Sequence, residues 1–207
     1  MELILASQSP RRRELFELIG LSFTAMVSPA DENIPLTDPG SYVEALALRK
    51  AEAVFASHPA ACVVGADTIV WLDGEIIGKP RDEGDAYRIL RSLSGRTHTV
   101  YTGLAVLAPG NRQILHDTTQ VTFRSLEDEE IWAYIRSGEP MDKAGAYGVQ
   151  GLASLFVERI DGDFFNVQGL AAILVERING CYFTVIGLPV PKLYLALRQL
   201  GIRPKGM

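Results

Sequence analysis

The chain has 207 residues, 47% of them hydrophobic, with two cysteines and a formal net charge of −5. That length and apolar content can bury a substantial core, and the chain is read as one domain spanning residues 1–207. The acidic balance excludes the broad basic face that a nucleic-acid polymer requires but leaves room for a local cationic pocket around a small anion such as a phosphate.

No window holds the roughly 18 uninterrupted apolar residues of a membrane span, and the first apolar run, Leu3 to Ala6, is too short for a signal-peptide core. The expectation is a cytoplasmic protein with no membrane contact. Cys62 and Cys181 lie in apolar surroundings without metal-ligand spacing and read as buried small hydrophobes.

Helical and strand signals alternate along the chain, which defines an α/β fold. "ELILA" and "SFTAMV" read as strands around a first helix, "PRRRELFELIG", whose buried face is marked by Leu15, Phe16, Leu18 and Ile19. Ser9 suits the N-cap and Pro10 the first helical position, so free backbone amides open just after a strand, an arrangement that binds phosphate. Three arginines in that first turn oppose the helix dipole, so an anion is expected there. Spacing turns Arg11 and Arg12 towards the buried side, where they could fork onto phosphate oxygens, while Arg13 faces solvent.

"SYVEALALRKAEAVFAS" reads as the second helix. In "ACVVGADTIVWLDGEIIG", Asp73-Gly74 marks a hairpin turn. Asp67 interrupts an otherwise apolar strand, and an unpaired carboxylate there would cost several kcal/mol. Its partner is either magnesium brought in with a phosphorylated substrate or Lys79, folded back by the hairpin; a structural Asp–Lys pair accounts for the charge but not for Thr68 or the cationic helix start. Glu32, in the "SPADENIP" loop, is by itself weak evidence for a site.

"DEGDAYRILRSLSG" reads as a helix stopped by Gly95, and residues 98–123 as two long strands joined by a Pro-Gly-Asn turn. His98, on a strand of period-two alternation, reads as a structural histidine rather than a base. "SLEDEEIWAYIRSG" is a helix with Ser125 as expected N-cap and Asp128 completing a capping box, its acids serving the dipole rather than a metal. The glycine-rich "SGEPMDKAGAYGVQG" contributes Asp142, Lys143 and Gln150, the last able to donate to and accept from the edge of a base.

Residues 150–167 are followed at once by a second copy, 168–185, identical at 11 positions. Each copy reads as a β-hairpin, with turns at Asp161-Gly162 and Asn179-Gly180, and the even offset preserves strand faces. Walker, dinucleotide GxGxxG, HExxH and GxSxG patterns do not occur.

Taken in order, "LASQSPRR", "GADTIV", "GEIIGKP", "LSGRTHTVYTGLAV", "EPMDKAGAYGVQG" and "GLPVPKL" resemble the Maf family of nucleoside triphosphate pyrophosphatases across essentially the whole chain, and within it the branch acting on dTTP and UTP. The resemblance implies an elongated α/β fold with a mixed sheet and a central cleft, cytoplasmic location, frequent homodimers and dependence on a divalent cation, Mg²⁺ or alternatively Mn²⁺. It implies that Asp67 accepts the proton, that Ser7, Arg11, Arg12, Glu32 and Lys79 form the phosphate and metal site, with Asp67 and Glu32 as metal ligands, and that Arg12, Thr68 and Gln150 set substrate choice. The second copy of the hairpin departs from that pattern. Gln150 precedes both copies and is expected to serve the site, whereas its image Gln168 lacks the preceding "DKAGAYG" and is expected not to. The expected reaction is attack of water on the α-phosphorus of a pyrimidine nucleoside triphosphate; a nucleotide-binding regulator of septum formation and a phosphatase releasing orthophosphate are the alternatives.

Overall fold

The structure, a computed structural model, describes residues 1–18, 20–35, 38–170 and 178–180. Among these residues eight strands and five α-helices follow in the order β1 (Leu3–Ala6), α1 (Pro10–Leu18), β2 (Thr24–Met26), α2 (Pro39–Phe55), β3 (Cys62–Leu72), β4 (Glu75–Ile77), α3 (Glu83–Leu93), β5 (Thr97–Ala108), β6 (Asn111–Phe123), α4 (Asp128–Arg136), β7 (Val157–Gly162), α5 (Phe164–Gln168) and β8 (Ile178–Gly180). The hydrogen-bonded strand order is β2-β1-β3-β5-β6-β7-β8, with β4 on β3. β1 pairs in parallel with β2 and β3, while the β3–β4, β6–β7 and β7–β8 ladders are antiparallel, so the sheet is mixed, as the family resemblance implies. The described residues fall into two compact units: 1–68, 101–118 and 165–170 form the first, and 69–100, 119–164 and 178–180 the second.

In the first unit, Ile4 and Ala6 of β1, Val63 of β3, and Ala105 and Leu107 of β5 pack with Ala47, Ala51 and Val54 of α2. α2 starts two residues before the expected Ser41, because Asp38 accepts hydrogen bonds from the amides of Gly40 and Ser41 (3.1 and 3.2 Å) and Pro39 needs no amide at the first helical position. The helix lies unusually close to the strands. A Cβ on Gly65 would stand 2.2 Å from the Ala47 carbonyl oxygen and 2.8 Å from the Ala51 nitrogen, and one on Gly103 would stand 2.2 Å from the Val43 carbonyl oxygen. Both obstructions are helix backbone, which cannot step aside as a flexible side chain would.

α1 begins at Pro10, as expected, and buries Leu15 and Phe16, but Leu18 is 64% exposed because this short helix ends there; Ile19 lies outside the described residues. Cys62 is partly buried as a free thiol, its pKa raised by burial, and Cys181 lies outside the described residues.

In the second unit, Asp73 (φ 53°) and Gly74 (φ 88°) turn β3 into β4, both in the left-handed region that a two-residue hairpin demands. α4 is capped not by Ser125 and Asp128 but by Glu127 and Glu130: the Glu127 amide donates to Glu130 Oε2 (3.0 Å), and Arg124 forks onto both oxygens of Glu130 (2.8 and 3.0 Å). That buried fork fixes the carboxylate beside the helix start, so the box forms two residues later than the sequence pattern implies. Tyr134 and Phe156 meet edge to face at 5.2 Å beneath it.

The first copy of the repeat is not a hairpin. β7 pairs with β6, and after Gly162 the chain enters α5 instead of returning as a strand. The Thr119 hydroxyl donates to the Asp163 carbonyl (2.8 Å), and Phe164, Phe165 and Asn166 are all buried in succession, a pattern that alternating strand faces cannot provide. Most of the second copy lies outside the described residues, but its β8 pairs with β7 so that Asp161 opposes its own repeat image, Asn179.

Replacing Gly65 by Ala is expected to lower stability by about 1–3 kcal/mol through overpacking against the α2 backbone. A fall in the denaturant midpoint at unchanged slope checks this, and a midpoint equal to wild type would show that α2 withdraws without strain.

Candidate active site

Two polar constellations occupy the two units. In the first, Gly65 and Asp67 share the face of β3 that meets α2, by the two-residue alternation of a strand. The close approach at Gly65 brings Lys50 of α2 to Asp67: Lys50 Nζ donates to Asp67 Oδ1 at 2.6 Å and contacts Glu32 Oε2 at 3.0 Å. The side chains of Lys50 and Asp67 are only 13% and 11% exposed, whereas that of Glu32 is 60% exposed. The loop carrying Glu32 is pinned to the same helix, since the Ser28 hydroxyl donates to the Lys50 carbonyl (3.0 Å) and Arg49 donates to the Asp31 carbonyl (3.1 Å).

Lys50, rather than Lys79, is therefore the protein partner of Asp67. Its position was legible, for it falls three residues after Ala47 and four before Val54 on the buried stripe of α2, a lysine on an apolar face. Glu32, weak in isolation, becomes the second carboxylate on this ammonium.

Beside this pair stands the Arg12 guanidinium. It donates through Nε to the Gly169 carbonyl (2.8 Å), through Nη1 to Ser7 Oγ (3.3 Å) and through Nη2 to Thr68 Oγ1 (3.1 Å). Burial lowers its pKa, the charge of Asp67 opposes that shift, Arg11 adds to it, and Glu32 opposes it. Ser7 Oγ also accepts from the Ser9 amide (3.1 Å), fixing the turn into α1. Arg11 is half-buried and makes no hydrogen bond or ion pair among the described residues, while Arg13 is exposed, as the helical spacing requires. Arg11, Arg12 and Lys50 against Asp67 and Glu32 leave a formal excess of positive charge, which suits a polyanion.

Gly169 was not foreseen. Its φ of +102° favours glycine, and a Cβ there would stand a tight 3.2 Å from Thr68 Oγ1. It follows Gln168 at the seam between the two repeat copies, and Gln168 is itself buried in this unit. The strands also bring in Thr102, whose hydroxyl lies 3.0 Å from that of Thr68 and donates to the Asn166 carbonyl at 2.8 Å.

The second unit holds Lys79, Lys143 and Gln150. Lys79 is exposed and forms no ion pair among the described residues. The Gly145 amide donates to the Gly78 carbonyl (3.0 Å), tying the glycine-rich loop to the residue before Lys79. Lys143 donates to the Glu139 carbonyl (2.6 Å) and to Asp142 (2.7 Å), and Gln150 is exposed. Glu139 braces the loop by accepting from Tyr134 Oη and from the Leu152 amide, each at 3.0 Å. His98 is buried, with Nε2 2.8 Å from Tyr147 Oη, consistent with a structural role, and burial depresses its pKa to about 3.

A strand-to-helix turn with guanidinium groups, set beside paired carboxylates, is of the kind that suits proteins handling phosphoanhydrides. The profile described as Maf-like protein matches residues 2–174, and the chain belongs to that family. It is 52% identical over 166 residues to the dTTP/UTP pyrophosphatase of a Geobacillus species, covering 80% of this chain and 89% of the relative. It is 52% identical over 164 residues to the protein of the same name from Thermococcus gammatolerans, covering 79% and 88%. The Aquifex aeolicus dTTP/UTP pyrophosphatase is 45% identical over 202 residues, which cover 98% of this chain and 97% of that one.

Two outcomes are expected. Lys50→Met strands the Asp67 carboxylate and should cost roughly 2 kcal/mol, less than the 3–5 of wholly buried pairs, and adding Asp67→Asn should recover much of it. Chemical denaturation of the single and double variants measures the coupling; additive losses would mean that the pair contributes nothing. For His98, the unfolded chain binds a proton below about pH 6.5 while the folded chain does not until about pH 3. This residue therefore removes stability as pH falls through that window, by up to about 1.4 kcal/mol per pH unit. His98→Gln should flatten the acid limb of a stability-against-pH curve by that slope, and parallel curves would refute the assignment.

Proposed function

We propose that this chain hydrolyses dTTP and UTP to the nucleoside monophosphate and pyrophosphate, with CTP or modified pyrimidine nucleotides as further substrates, working in the cytoplasm on the free nucleotide pool. The names of relatives about half identical over most of both chains support the substrate class. One observation carries the mechanism: a nearly buried carboxylate, Asp67, held by Lys50 through one oxygen and standing beside the Arg12 guanidinium.

Asp67 Oδ1 is committed to Lys50, and Oδ2 makes no hydrogen bond among the described residues. That oxygen is the proton acceptor. A water molecule loses its proton to Oδ2 as its oxygen bonds to the α-phosphorus; the bond from that phosphorus to the α,β-bridging oxygen breaks, and pyrophosphate leaves with the electron pair. Arg11 and the amides opening α1 bind phosphoryl oxygens, while Arg12, anchored by Ser7, Thr68 and Gly169, holds positive charge in a fixed place where negative charge accumulates.

Glu32 and Asp67 fit a divalent cation by the chemistry of their donors. Among the described residues no group of three or more His, Cys, Asp or Glu side chains could hold a metal, but Mg²⁺ commonly takes one or two carboxylates and completes its shell with substrate phosphates and water. Lys50 contacts one oxygen of Glu32 and leaves the other available to such an ion, and Asp67 would ligate the ion in place of its role as proton acceptor. When bound, Mg²⁺ or Mn²⁺ supplies neutralisation of phosphoryl charge. No helix among the described residues is long and apolar enough to cross a membrane.

The experiment is incubation of the purified protein with dTTP, UTP, CTP and GTP in the presence of Mg²⁺, with identification of the released species. Pyrophosphate from dTTP and UTP is expected, with turnover of Asp67→Asn reduced about 10²–10⁴-fold. Release of orthophosphate, or undiminished turnover by the variant, would overturn the proposal.

A further inference from the structure

The hydroxyls of Thr68 and Thr102 lie 3.0 Å apart between a group that can only donate and a group that can only accept. At one end Arg12 Nη2 donates to Thr68 Oγ1 (3.1 Å), because a guanidinium has no acceptor. At the other end Thr102 Oγ1 lies 2.8 Å from the Asn166 carbonyl oxygen, which has no proton to give. Each hydroxyl owns one proton, so the direction of the whole chain is fixed. Thr102 spends its proton on Asn166, and Thr68 must spend its own on Thr102. Thr102 is fully buried, so water offers it no alternative, whereas Thr68 is only half-buried.

This polarity decides what Thr68 offers to a ligand. Its proton is committed to Thr102 and one lone pair to Arg12, leaving a second lone pair: an acceptor and nothing else. We propose that Thr102 is a positioning residue that locks Thr68 as an obligate acceptor and thereby selects pyrimidines carrying an imino N–H, uracil and thymine, over cytosine. Uracil and thymine present N3–H in the middle of the pairing edge, and cytosine presents a bare N3 at the same ring position. Two acceptors cannot bond, and a polar site built for one partner rejects the analogue that leaves it unpaired. The inference rests on the pyrimidine nucleoside triphosphate reading and supplies a physical basis for its base preference.

The test compares UTP with CTP, both as kcat/KM for pyrophosphate release and as Kd from calorimetry, in wild type, Thr102→Val and Thr102→Ser. Valine keeps the shape but removes the acceptor, freeing the Thr68 proton to donate to cytosine N3. The UTP-to-CTP ratio is expected to fall about tenfold in Thr102→Val and to stay at the wild-type value in Thr102→Ser. A merely structural role would weaken both nucleotides alike. An unchanged ratio in Thr102→Val, or an equal fall in Thr102→Ser, would overturn the inference. Should the valine variant fail to fold, Thr102→Cys, whose thiol is a weak hydrogen-bonding group, is expected to lower the ratio in the same direction, and no change would again refute it. Absence of turnover by wild type would sink the catalytic reading alone, since the Kd ratios still decide the polarity of Thr68.

Discussion

The ammonium of Lys50, shared between Asp67 and Glu32 at 2.6 and 3.0 Å, is the interaction on which the first unit's polar constellation depends. A carboxylate set in an apolar strand is costly, and Asp67 is tolerated because a cation reaches it from the packed helix rather than from solvent. That reach is a matter of backbone distance. Gly65 and Gly103 let α2 settle so close that a single methyl group would collide with helix carbonyls. Lys50 then arrives with its stem along the core and its charge at Asp67. Two glycines that resemble ordinary weak points of strands thus determine where a buried charge is met.

Arg12 stands in a different relation to its surroundings. Its hydrogen bonds reach Ser7 in its own turn and Thr68 and Gly169 in two segments remote in sequence, so its position is set by the fold and not by a ligand. A guanidinium held in this way has already given up its side-chain freedom, and ordering it costs nothing further when a polyphosphate arrives. Arg11 has no such anchors among the described residues. Adjacent arginines, indistinguishable by residue type, are separated into a fixed electrostatic element and an adaptable one.

Much of this was legible before any coordinates. Pro10 opens α1, the Asp73-Gly74 and Pro109-Gly110 turns form hairpins, and Asp67 stands out as a carboxylate needing a cation, because each follows from local chemistry. The identity of that cation was not deduced. Lys79 stood nearer in the hairpin pattern, whereas Lys50 lies on another element and becomes visible only when the apolar stripe of α2 is counted through it. The cap of α4 was misplaced by two residues because Arg124 draws Glu130 into a buried ion pair, a tertiary effect that no capping template contains. Thr102 gave no signal at all. A threonine in a strand is ordinary, and its significance lies in the Asn166 carbonyl 64 residues away.

The tandem repeat shows why sequence identity does not double a structure. Gly151 and Gly169 are images of one another at the 18-residue offset, yet a Cβ on the first would strike the Glu139 carboxylate at 2.2 Å and one on the second would approach Thr68 and Arg12. In one setting the Gln-Gly-Leu sequence opens a 3-10 turn, and in the other it closes α5, with Gly169 and Leu170 donating to Asn166 and Phe165. What the two settings share is a side chain or backbone standing close to where a Cβ would be, and the duplication reproduced the glycine along with the letters. The strand segment behaves differently. Val-Glu-Arg-Ile has one conformation it favours, and β7 and β8 pair through their own images at Asp161 and Asn179. Duplication therefore conserved what propensity dictates and left surroundings to decide the rest, which is how a second copy of the segment could enter while a glycine still faces Arg12.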